Sequence, residues 1–242
     1  MNYEHTSISP PENTFLWRYI TVQKFEDLIT SSELYLHRLD KFIDQYEGVV
    51  TEYTNEVIEN LFLEFENAIE MQNELYFLLS SLRKITFINC WHINHNEDIE
   101  MWKTYADLNN GILIKTTEEK LINSLTDPKL GSFHLRPIRY AKRDSLEIDL
   151  SFPLELINFK DEIYSFENEY RLSLQYYKGK IDPKDADITI VNAPEKGVRI
   201  LINLKTLIDE IFVSPNCDQE FFDRIQGLVE KLNIKIRRST IS

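Results

Sequence analysis

Residues 165–174 read SFENEYRLSL. Side chains alternate along a strand, so this run puts Glu167, Glu169 and Arg171 on one side and Phe166, Asn168, Tyr170 and Leu172 on the other. The second side suits a buried core. The first must face water, pair within itself or receive a ligand, because an ionised group left alone in an interior is too costly to keep.

Working outward, TFLWRYIT (14–21), ELYLHRL (33–39), KITFINCWHI (84–93), GILIKT (111–116), VRILINL (198–204) and IKIRRSTI (234–241) are rich in β-branched and aromatic residues and read as strands. FHLRPIRYA (133–141) reads as a strand interrupted by Pro137, hence an edge or a bulge. Between them lie short amphipathic helices. One follows Thr21 as N-cap, one spans NEDIEMWKTYADLNN (96–110), one is capped by Thr116 or Thr117, and one spans DQEFFDRIQGLVEKLN (218–233). LELINFKDEIYSF (154–166) is expected to be helical in its first half, and KTLIDEIFVSP (205–215) to run from a short helix into a strand. From about 52 to 84, apolar residues recur every three or four positions, predicting one long helix or two in tandem. The expectation is a single α+β domain over 1–242, with a mixed or antiparallel twisted sheet, flanking helices and an inserted acidic helical segment at 52–84.

The 242 residues are 43% hydrophobic and 12% aromatic, enough for a sizeable core. No apolar run approaches the length of a membrane span, and the first residues lack the pattern of a signal peptide. Cys90 and Cys217 stand alone, which fits reduced thiols in the cytoplasm. The net charge of −13 disfavours nucleic acid, but it is unevenly spread. Between Asp44 and Leu82 there are nine acids and no Lys or Arg, whereas Pro128–Arg143 carries Lys129, Arg136, Arg139, Lys142 and Arg143 without an acid. The first block could dock a basic protein partner, and the second could contact a nucleic acid.

Several chemistries lack their motifs. There is no phosphate loop, no GxGxxG and no GxSxG. His92 and His95 lie near Cys90, Glu97 and Asp98, but zinc would need a second cluster, so no metal is expected. What remains is scattered: Arg18 in the first strand, Arg38, Asp40, Asp44 and Glu47 in LHRLDKFIDQYEG (36–48), Trp102 and Tyr105 on one helix face, and Glu167-x-Glu169-x-Arg171. These can be a structural ion ladder joining the acids to Arg18 or Arg38, or a site.

LWRYITVQKFEDLITSSELYLHRLDKFIDQYEG, NCWHINHNEDIEMWKTYADLNNGILIKT, IRYAKR, FENEYRL and EIFVSP, in this order, resemble the bacterial family known as domain of unknown function 2971. A more distant resemblance is to ADP-ribosyltransferases, which carry an Arg or His on the first strand, an aromatic or hydroxyl residue midway and a late Glu, often as Glu-x-Glu. That second resemblance implies NAD as substrate, transfer of ADP-ribose to a nucleic-acid or protein acceptor, and a defence or toxin setting. It implies that Glu169 is the catalytic acid and that Glu167 orients or deprotonates the acceptor. Arg18 would grip NAD, Tyr105 or Trp102 would stack on nicotinamide, and Arg38 and Arg171 would complete the NAD contacts. Arg136, Arg139, Lys142 and Arg143 would meet a nucleic-acid acceptor. The departures are an aromatic placed on a helix and no Ser-Thr-Ser strand. Two alternatives stand beside this: a non-catalytic interaction module, and a metal-dependent nuclease-like hydrolase using Asp40, Asp44, Glu167 and Glu169 with Lys160 or Lys103.

Overall fold

The structure, a computed structural model, describes residues 5–126, 131–143, 153–176 and 193–241. In chain order, β1 (His5–Ser7) and β2 (Phe15–Thr21) lead into α1 (Val22–Ser31) and β3 (Glu33–Arg38). The acidic helices α2 (Glu52–Phe62) and α3 (Ala68–Ile85) precede β4 (Thr86–Asn94), α4 (Ile99–Tyr105), β5 (Gly111–Thr116) and α5 (Glu118–Ser124). Then come β6 (Gly131–Pro137), β7 (Arg139–Ala141), β8 (Phe159–Asp161) and β9 (Glu169–Tyr176). The chain closes with β10 (Gly197–Leu201), α6 (Leu204–Leu207), β11 (Glu210–Val213), α7 (Gln219–Val229) and β12 (Lys235–Arg238).

The fold is α+β. A ten-stranded, mostly antiparallel sheet runs β1-β6-β9-β4-β2-β5-β11-β12, with β3 on β4 and β10 on β3, and β7 and β8 form a separate parallel pair. Of the stretch 165–174, residues 169–174 lie in β9, which is interior, between β4 and β6, whereas 165–167 end a 3-10 turn and Phe166 is exposed, outside the core expected for it. Strand β4 forks the sheet. One edge of β4 follows β9 from Thr86 to His92, while the other pairs with β3 at Phe87 and Ile88 and with β2 from His92 to Asn94.

One face of the sheet carries the main core, in which Leu16, Ile20, Trp91, Tyr170 and Leu172 meet Phe25, Leu121 and Ile225 from α1, α5 and α7. The other face carries smaller apolar groups. Trp17, Tyr19 and Leu113 pack with Met101 and Trp102 of α4, and Leu39, Ile88 and Ile157 form a second group. Ile58 and Leu79 of the acidic helices pack on Leu156 and Phe159.

Local chemistry sets the element ends. Asp98 caps α4 by accepting from Glu100 N (2.8 Å) and Met101 N (3.1 Å), and Thr117 caps α5 through Lys120 N. Thr21 occupies the N-cap position of α1 without a side-chain cap bond. Helix α4 is shorter than its apolar pattern predicts, because the Asp107 carboxylate takes the N–H groups of Asn109 and Asn110 and turns the chain. Residues 153–158 and 162–167 form 3-10 turns around β8, where the sequence predicted a helical first half. The break expected at Pro137 falls between β6 and β7. Among the described residues, no helix is long and apolar enough to cross a membrane.

Candidate functional site

The charge row of β9 pairs within the protein. Directly opposed residues of antiparallel strands share a face, so Glu169, His92 and Trp17 point the same way, as do Arg171 and Cys90. Arg171, with no exposed surface, binds Glu169 through Nε–Oε1 (2.5 Å) and Nη2–Oε2 (3.2 Å). It also donates to Glu47 from Nη2 and to the Ile157 carbonyl from Nη1 at 2.7 Å. Lys160 of β8 joins the same carboxylates. Its Nζ lies 2.6 Å from Glu167, 3.2 Å from Glu47 and 3.8 Å from Glu169. Tyr105, at the end of α4, donates its hydroxyl to the second oxygen of Glu167.

Burial alone would lower the Arg171 and Lys160 cations, but the charges of Glu169 and Glu47 outweigh it and raise both. Burial would likewise raise Glu169, and Arg171 holds its carboxyl below the ordinary value instead. Burial drives the Tyr105 phenol up, as does its bond to Glu167. Burial also pushes the Cys90 thiol well up, as does the neighbouring Glu169 carboxylate, which favours the protonated form.

Several neutral groups hold this cluster in place. His92 Nδ1 donates to the Glu167 carbonyl (2.6 Å), which leaves Nε2 to accept from Asn94 Nδ2 (3.1 Å); burial lowers the imidazole and keeps this neutral tautomer. The Tyr140 hydroxyl accepts from Glu169 N at 2.8 Å. Asn168 sits between the two acids with φ 37°, in the left-handed region that Asn tolerates, and its Nδ2 donates to Ile93 O at 2.6 Å. That kink brings Glu167, which lies outside β9, to the same cluster as Glu169.

Beside the network opens a hollow of about 500 Å³. Glu47 and Lys160 belong to both, and Tyr46, Tyr164, Phe159 and Arg143 line the rest. The Lys160 ammonium lies 4.6 Å from the centre of the Tyr164 ring. Arg143 is 4.8 Å from the centre of the Tyr46 ring and donates to the carbonyls of Tyr46, Val49 and Val50.

The other expected site residues are placed elsewhere. Arg18 projects from the face opposite Glu169, since its neighbour Trp17 shares the Glu169 face. It donates to Asn89 Oδ1 (2.6 Å) and Cys90 O (2.9 Å), and Asn89 in turn donates to Tyr35 O. Arg18 thus stitches the fork, where β2 and β3 part and leave a β4 carbonyl in need of a donor. Burial pulls its guanidinium down to about 10. One cleft shared by Arg18 and Glu169 is therefore not formed. Arg38 pairs with Asp40 at 2.6 and 3.0 Å. Trp102 is fully buried, edge-on to Tyr19, with its indole N–H on Glu97.

Asp44 accepts from Tyr46 N, so of the four carboxylates in the hydrolase alternative the structure gathers Glu167 and Glu169 alone. Lys103 pairs with Glu100, whereas Lys160 reaches both gathered acids. Among the described residues, no group of three or more His, Cys, Asp or Glu side chains is arranged to hold a metal. In the basic segment, Arg139 lies 3.7 Å from Glu155 and Lys142 4.0 Å from Glu162. Arg136 stands opposite Arg171 in the β6–β9 register, and Lys129 lies outside the described residues.

In the sequence Glu47 stands among the scattered candidates without a role of its own, and Lys160 only as a lysine of the hydrolase alternative. Their positions are 124 and 11 residues from Arg171 in the chain, and no local pattern marks them. No protein-family model and no curated protein matches the chain.

Proposed function

We propose that this protein is an ADP-ribosyltransferase-like enzyme that takes NAD in the hollow beside Glu47 and Lys160. It would transfer ADP-ribose to a macromolecular acceptor in the bacterial cytoplasm. The observation that supports this is a charge count. Three carboxylates, Glu47, Glu167 and Glu169, surround two cations, Lys160 and Arg171, leaving one formal negative charge in excess at the edge of a ring-lined hollow. A buried surplus charge is costly in isolation, and a cationic ligand relieves it. NAD carries a pyridinium ring, and breaking its ribose–nicotinamide bond passes through an oxocarbenium-like sugar. The electrons of that bond leave with neutral nicotinamide, and a nucleophile on the acceptor takes C1′ while losing its proton. Fixed carboxylates at that point oppose the developing positive charge without reorganising.

In this reading Glu47 faces the ligand, and Tyr46 and Tyr164 offer ring faces to the nicotinamide. Glu167 and Glu169 are positioning residues that act through Lys160 and Arg171. Arg139 and Lys142, close in sequence to Arg143 at the hollow, are the contacts for a nucleic-acid acceptor. The resemblances to domain of unknown function 2971 and to ADP-ribosyltransferases stand behind the assignment. A specific observation favours a second reading: the Glu169–Arg171 pair is already saturated by bonds within the protein, as a purely structural ladder in a binding module would be.

Calorimetric titration with NAD and NADH separates the two, because they differ in ring charge and little else. The expected result is NAD bound at least about tenfold more tightly than NADH, a gap of about 1.4 kcal/mol. Glu47→Gln should close that gap, and NAD incubated with RNA, DNA or protein should release nicotinamide. If neither dinucleotide binds, or both bind equally to the unaltered chain, the enzyme reading fails and the binding-module reading stands.

A further inference from the structure

We infer that the turn joining α2 and α3 is a docking surface for a basic amphipathic segment of a protein partner. Leu61, Leu63, Phe65 and Ile69 fall within nine residues and are 51 to 76% exposed. Large apolar side chains concentrated at one place on a surface mark an interaction site, whereas scattered ones do not. The patch is supported from below: Phe62 packs edge-on against Phe65 with centroids 6.1 Å apart, while Ile58 and Leu79 anchor the two helices to Leu156 and Phe159. It is a presented surface on fixed helices.

Charge selects the occupant. Glu59, Glu64, Glu66 and Glu70 are exposed around the apolar residues, and no Lys or Arg occurs from Asp44 to Leu82. A second copy of this chain meeting it patch to patch would oppose like charges, and an anionic membrane or a nucleic acid would be repelled. A segment with apolar residues on one side and Lys or Arg flanking them matches both features: its apolar side covers the four residues and its cations meet the rim. This inference is independent of the NAD reading.

The probe is a synthetic peptide of about 18 residues built from Leu and Lys alone, with Leu at helical spacing. Titrated against the full chain by fluorescence anisotropy, it is expected to bind. The affinity should fall at least about tenfold in the Leu61→Ser/Phe65→Ser/Ile69→Ser variant, as truncating central apolar anchors does. Glu64→Gln/Glu66→Gln/Glu70→Gln should weaken it as well, as should raising salt from about 0.05 to 0.5 M. All these positions are exposed, and circular dichroism would check that both variants remain folded. Equal binding by a Lys/Ser peptide, or unchanged affinity in the serine variant, would overturn the proposal. So would a peptide-free dimer, seen by sedimentation, that the serine substitutions dissolve, because a second copy would then be the occupant.

Discussion

At the residue scale, the decisive feature is how completely Arg171 is committed. A guanidinium offers five N–H donors in a planar fork, and here the fork holds two carboxylates and a backbone carbonyl in a site closed to water. Such a pair adds little net stability when complete, yet breaking it strands a charge. Arg171→Met keeps an unbranched apolar stem, removes the guanidinium and leaves Glu169 and Glu47 without its charge. It should cost about 3–5 kcal/mol in urea unfolding. Arg18→Met should cost less, because it leaves a carbonyl and an amide without their donor but no stranded charge. A loss for Arg171→Met no larger than that for Arg18→Met would count against the network as described.

At the scale of elements, the link between the 3-10 turn at 162–167 and β9 puts Glu167 beside Glu169. The turn ends on Asn168 in the left-handed region, and Asn168 then supplies both a backbone acceptor to Ile93 N and a side-chain donor to Ile93 O. Asn168→Ala loses the tolerance for that conformation along with the donor, and should destabilise by about 1–2 kcal/mol. Asn168→Gly keeps the conformation and loses only the donor, so its loss should be the smaller of the two. Thermal or urea unfolding of the pair measures this directly. Equal losses would show that Asn168 acts through its bond alone. The acidic helices, by contrast, were readable from periodicity, because an apolar stripe at three and four residues needs no knowledge of its partner.

At the scale of the whole molecule, burial without compensation makes stability depend on pH. Burial lowers His92 and His134 from 6.5, the latter also through the Arg136 charge, so between 6.5 and their folded values the unfolded chain binds more protons. Stability therefore falls as the pH drops below 6.5. Glu169, also depressed in the fold, extends the loss into the carboxylate range, since its contribution is present above the unfolded value and disappears as pH falls through the folded one. The melting temperature should thus decline steadily on acidification. His92→Gln/His134→Gln should flatten the slope between about pH 7 and 5 while leaving the decline at lower pH. A slope unaltered by the double change would place the titrating groups elsewhere.

The sequence by itself determined the α+β class, most element positions, an interior strand through 169–174 and the acidic helical block. Each rests on short-range periodicity, capping or charge distribution along the chain. Only the tertiary structure decided what the charge row does. Glu47 and Lys160 come to Arg171 from distant irregular and edge segments, and Arg18, expected beside Glu169, was turned to the opposite face by one residue of strand parity. Electrostatic pairing depends on distance in space and burial, and neither is a function of spacing along the chain.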